Sequence, residues 1–168
     1  KEFNEKKTKN FLFNIEPLSL YFENKSTVSE KNGDKGENII NLGNAKLITN
    51  YSFKENSILF ESTNSKIFNN FIKYDGEINI KPFFINLNIN LDKINLYKII
   101  VKSPIIKEIL FSKIIFDENL SAKIKLNSKN IKNKLFDSMK LNLHIDGGSI
   151  NLNESILLNE KIGKLNLK

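Results

Sequence analysis

The chain has 168 residues, 40% of them hydrophobic, which suffices for one domain with a true core and is short for two. Its 26 basic residues are all lysine and outnumber 19 acidic ones, for a net charge of +7. Without arginine the chain lacks the planar fork that reads phosphates and guanine edges in pairs, which argues against nucleic-acid recognition; weak attraction to anionic lipid headgroups suits lysine better. Cysteine is absent, which excludes disulfides, cysteine nucleophiles and thiolate metal sites.

In chain order, Lys1–Asn10 is charged and reads as a connection. Phe11, Phe13 and Ile15 fall at alternate positions, and after Pro17 so do Leu18, Leu20 and Phe22. This predicts two short strands, or one strand bent at the proline. The polar stretch 23–38, with Gly33 and Gly36, reads as a flexible loop. Leu47, Thr49, Tyr51 and Phe53 share a strand face, Glu55-Asn56 suits a hairpin turn, and Ile58 and Phe60 begin the return strand. Ile67–Ile72 is a further strand or irregular segment. Asp75-Gly76 reads as a tight turn, because glycine adopts positive φ without steric penalty.

At Lys81-Pro82 the apolar phase slips from Ile78 and Ile80 to Phe83, Ile85, Leu87, Ile89 and Leu91. A one-residue slip inverts the faces of a continuous strand, so a bulge or turn is expected there. Between residues 94 and 112 the spacing of Ile94, Tyr97, Val101, Ile105, Ile106, Ile109 and Leu110 becomes helical. One or two short helices are expected, with Pro104 suited to a first turn. Alternation resumes with Leu120, Ala122, Ile124 and Leu126. The stretch 129–137 is ambiguous. Then Leu141, Leu143 and Ile145 run into the turn signal Asp146-Gly147-Gly148, followed by Ile150, Leu152, Ile156–Leu158, Gly163, Leu165 and Leu167.

The fold class expected is mostly β: a single β-rich domain of extended, twisted, antiparallel amphipathic sheet, open as a groove or closed as a sandwich. Its start, without an initiator methionine or an apolar signal segment, suggests a fragment of a longer protein.

Catalytic constellations are not evident. His144 is the only histidine, and alternation places it on the wet face opposite Leu143 and Ile145, so a zinc site is not expected. Asp75 with Glu77 and Asp117 with Glu118 lie beside turn signals among lysines, which favours solvated carboxylates over acid–base pairs. Ser57 and Ser149 lack a nucleophile-elbow context, and Asp146-Gly147-Gly148 lacks the helix and lysine–serine pair of a phosphate loop. The tyrosines are too scattered for a base-stacking platform. No enzyme activity, cofactor, metal or nucleic-acid partner is therefore expected.

The stretch 76–96, GEINIKPFFINLNINLDKINL, resembles the AsmA-like family of Gram-negative envelope proteins, which includes relatives of TamB. The resemblance rests on a glycine, an alternating strand, a Lys-Pro-Phe step, a second alternating strand and a following helical stretch. It covers residues 74–152 well and the N-terminal third loosely. It implies a periplasmic β-groove with an apolar floor, anchored in the inner membrane by an N-terminal helix that this sequence lacks. The implied role is phospholipid transport between membranes or outer-membrane assembly, with phospholipid or another acyl lipid and envelope proteins as partners. The expected lining of the groove is Ile85, Leu87, Ile89 and Leu91 with Ile124, Leu126, Leu141, Leu143 and Ile145. The same residues would equally fill the core of a structural or adhesion-type β-sandwich that binds protein partners through exposed sheet edges, and both readings stand at this point.

Overall fold

A computed structural model describes residues 7–15, 20–28, 34–93, 95, 116–132 and 135–167. The fold is mostly β, built from open, predominantly antiparallel sheet. The strands group into two compact units, Lys1–Ile80 and Lys81–Lys168.

The first unit is a meander of six strands: β1 (Lys7–Ile15), β2 (Leu20–Val28), β3 (Lys35–Leu42), β4 (Ala45–Lys54), β5 (Ser57–Ile67) and β6 (Asn70–Ile80). Each pairs antiparallel with the next, in sequence order. Register puts Phe22, Ile40 and Leu47 in one transverse row, and Tyr51 opposite Phe60 in another, so one face is apolar. The opposite face carries Tyr21, Glu23, Lys25, Glu37 and Glu61. On that face Tyr21 donates to Glu23 at 2.8 Å and Lys25 Nζ lies 3.0 Å from Glu23. The tyrosine hydroxyl, and after it the lysine, hold the Glu23 carboxyl below the usual carboxylate range.

Two expectations are corrected in this unit. The stretch 23–38, expected as a loop, contains strand at Glu23–Val28 and Lys35–Asn38; only 29–33 lies outside the described residues. These strands looked polar because a hydrophilic belt crosses the apolar face, where Asn24 pairs with Asn38 and Asn38 with Thr49. Side chains bond along it: Tyr51 donates to Asn24 Oδ1 at 2.8 Å, and the Thr49 and Tyr74 hydroxyls meet at 2.5 Å. Asp75-Gly76 is likewise not a turn. It lies mid-strand in β6 opposite Glu61 and Phe60, and the Phe60 ring lies beside Tyr74, with centroids 6.4 Å apart. The reversal comes earlier, at Phe68-Asn69, both at positive φ (47° and 65°), the backbone of a two-residue hairpin turn. The turn expected at Glu55-Asn56 is present, with Glu55 at φ 51°.

The chain turns at Lys81-Pro82, where the slip in apolar phase requires it. The second unit contains β7 (Phe83–Leu91), β8 (Ala122–Ser128), β9 (Ser138–Asp146), β10 (Ser149–Asn151), β11 (Ser155–Asn159) and β12 (Gly163–Leu167). Their order is β7-β8-β9-β11-β12, with β10 also paired to β9. β8 runs parallel to β7, the one parallel pairing among the described strand registers. Parallel neighbours need a connection of roughly a dozen residues or more, and the stretch 92–121 supplies it. Within that stretch, the helices expected around 94–112 lie outside the described residues except for Asn95. Asp146-Gly147-Gly148 forms the expected hairpin, with both glycines at positive φ (53° and 76°). In the ambiguous stretch 129–137, of which 133 and 134 lie outside the described residues, no strand is present among the described residues, and the Ile131 N–H donates to the Asp137 carbonyl at 2.8 Å with Ile131 buried.

Candidate functional site: an apolar sheet face and the polar face behind it

The nine residues expected to line a groove all fall on one face of the second unit. Parallel pairing of β7 with β8 sets Leu87 beside Ile124 and Ile89 beside Leu126; antiparallel pairing of β8 with β9 sets Ile124 beside Leu143 and Leu126 beside Leu141. Two complete apolar rows result, Leu87–Ile124–Leu143 and Ile89–Leu126–Leu141. They are bounded by Ile85–Ala122–Ile145 at one end and Leu91–Ser128–Met139 at the other.

Burial differs between the middle and the ends. Ala122, Ile145, Leu91 and Met139 are buried, at 2%, 2%, 7% and 5% exposure, whereas Leu87, Ile89, Ile124, Leu126, Leu141 and Leu143 are only half-buried. All described strands of this unit belong to one sheet, so no second described strand layer lies over the two middle rows within the unit. From Ile85 to Leu91 the apolar face runs six residue rises, about 20 Å at ~3.3 Å each. One leaflet of a bilayer's hydrocarbon core is about 15 Å thick, so the face matches an acyl chain in length.

Alternation sends the intervening residues to the other face. Asn86, Lys123, His144 and Asn151 form one transverse row there, and Asn88, Lys125 and Asn142 the next. Asn127 bonds Asn90 across β7 and β8 at 3.3 Å, continuing the polar surface. His144 is exposed on this face, where alternation puts it. Among the described residues no three His, Asp or Glu side chains group as metal ligands. Asp117 and Glu118 are exposed in a turn, where Asp117 accepts from the Asn119 N–H at 2.8 Å. Nor is any described helix long and apolar enough to cross a membrane.

Sequence reasoning missed two serines that shape the sheet. Ser155, with 0% exposure, accepts from the Asn142 N–H at 2.8 Å and donates to the Asn142 carbonyl at 3.2 Å. Its hydroxyl thus replaces the N–H and C=O of a ladder residue. It does so where β9 passes from pairing with β11 (Ser138–Lys140) to pairing with β10 (His144–Asp146). Ser65, also at 0% exposure, repeats the device in the first unit: it accepts from the Ile48 N–H at 2.8 Å and lies 3.3 Å from the Ile48 carbonyl, where the β4–β5 and β5–β6 registers both shift. The signal available in sequence was a phase change, from Ile58 and Phe60 to Ile67 across Ser62-Thr63-Asn64-Ser65.

Between β10 and β11 the chain leaves the ladder, with Glu154 at φ 63°, and Asn153 and Glu154 of this connection border a hollow. The hollow has a volume of about 340 Å³, and Lys123, Lys125, Lys140, Asn142, His144 and Asn153 are among its lining residues. Asn142 donates to the Glu154 carbonyl at 3.1 Å, which fixes the loop at its rim. No protein-family model matches the sequence, and no curated protein or solved structure matches it either.

Proposed function

We propose that the protein is a non-enzymatic lipid-holding module in which the apolar face of β7–β9 accommodates an acyl chain. The observation that carries this reading is the pair of half-buried rows, Leu87–Ile124–Leu143 and Ile89–Leu126–Leu141, on a sheet without a second described strand layer in its unit. Moving a methylene from water onto such a surface gains up to about 0.8 kcal/mol when burial is complete, and no specific polar partner is needed. A strand wall suits the task because alternate residues line the floor while their neighbours meet water. The resemblance of residues 76–96 to AsmA-like proteins extends the proposal. In that setting the module acts in the periplasm as part of an inner-membrane-anchored protein, in phospholipid transport or outer-membrane assembly. The test is displacement of a fluorescent fatty acid. The parent protein should bind the probe and release it to phospholipid, and Ile124→Glu should abolish binding while circular dichroism keeps the strand spectrum. Equal binding by the folded variant would reject the proposal and favour a structural module that binds partners by its edges.

A further inference from the structure

The hollow of the second unit touches Ile124 and Leu143 of the apolar rows, but its lysines, His144 and Asn142 are the alternate residues of β8 and β9 and belong to the opposite, polar face. Lys123 and Lys125 stand two residues apart on β8, about 7 Å by strand rise. Lys140 joins them from β9, two register pairs beyond Asn142, which lies directly across from Lys125. All three lysines are exposed, and none is ion-paired with a described residue. Among the described residues Glu154 is the single acidic side chain lining the hollow, so the lysines outnumber it three to one. Asn151 and Asn153 add neutral hydrogen-bonding groups at the rim, and His144 stands beside Lys123 in the register.

Unpaired ammonium groups converging on a concave surface attract a multivalent anion, and flexible lysine stems can close on it from two strands. Each contact is a solvent-exposed charge pair of modest strength, so affinity requires several at once and weakens with salt. We propose that this hollow binds a phosphate-bearing anion through Lys123, Lys125 and Lys140. The phosphate belongs either to a soluble ester or to a lipid headgroup, and the site stands independently of the acyl-chain reading.

The test uses the full chain and two probes. Inorganic pyrophosphate is titrated calorimetrically, and vesicles of phosphatidylcholine with phosphatidylglycerol are used in co-sedimentation. The parent is expected to bind at least one probe, and the Lys125→Gln/Lys140→Gln double variant should bind it about tenfold more weakly. Lys46 and Lys66, which face each other across β4 and β5, provide the control. Lys46→Gln/Lys66→Gln removes the same charge elsewhere and should leave binding unchanged. Pyrophosphate binding without sedimentation assigns a soluble phosphate; sedimentation that is sensitive to Lys125 and Lys140 assigns a headgroup. Binding of neither probe, equal binding by the Lys125/Lys140 variant, or an equal loss in the control pair would overturn the proposal.

Discussion

Replacing Ser155 with alanine tests whether one buried hydroxyl closes the sheet where β9 changes partners. The hydroxyl makes two bonds to a single residue, accepting from the Asn142 N–H at 2.8 Å and donating to its carbonyl at 3.2 Å. Each such bond contributes about 1 kcal/mol net, and a backbone group left unpaired away from water adds a desolvation penalty of about 1–3 kcal/mol. Asn142 is half-buried, so water can relieve part of that penalty, and the carbonyl retains a second lone pair. The expected loss is therefore about 2–3 kcal/mol. For a unit of this size each kcal/mol lowers the melting temperature by roughly 4–8 °C, which places the drop near 10–20 °C. The assay is thermal unfolding by circular dichroism, combined with hydrogen exchange at the Asn142 amide, whose protection should fall with the mutation. Ser149→Ala, at an exposed position on β10, is the control and should stay within about 0.5 kcal/mol of the parent. A Ser155→Ala protein as stable as that control, with Asn142 still protected, would refute the reasoning.

Other outcomes follow from the same geometry. Gly36→Ala should destabilise the first unit by about 1–3 kcal/mol in urea titration, because a Cβ there would strike the Tyr51 hydroxyl and stand 2.7 Å from the Lys25 carbonyl. Tyr51→Phe, which removes the bond to Asn24 across the hydrophilic belt, should lose about 0.5–1.5 kcal/mol by the same measurement. Glu23 titrates below the usual range because Tyr21 and then Lys25 stabilise its charged form. Its contribution is therefore present above the unfolded carboxylate value of about 4.3 and lost as pH falls through the folded value. Glu23→Gln should flatten the acid limb of the stability–pH curve, and an unchanged limb would count against the pair. Leu87→Glu, in the middle of the apolar face, should reduce lipid co-purification more than Asn88→Glu on the other face.

The alternation in β7, β8 and β9 was legible because each strand has one apolar and one polar face. Register could not be read from sequence, yet it placed all nine expected lining residues on the same side. The strand ends in β2 and β3 were not legible. Asn24, Asn38 and Thr49 lie on the apolar face but form its hydrophilic belt, so period-two hydrophobicity fails where the strands cross it. Gly76 misled because a glycine in mid-strand carries the same letter as one that makes a turn. The reversal at Phe68-Asn69 had no glycine to announce it. The parallel entry of β8 is topological, and pair periodicity is blind to it. The lysines of the hollow were visible only as the outward residues of amphipathic strands, because Asn153 and Glu154, which line it with them, lie in a connection that strand periodicity does not reach.

The most direct test of the acyl-chain reading is native mass spectrometry of the chain extracted from bacterial membranes without detergent. The account predicts a bound species with the mass of a phospholipid or fatty acid, lost in Leu87→Glu while the fold persists. A lipid-free protein, or lipid retained equally by the folded variant, would contradict it.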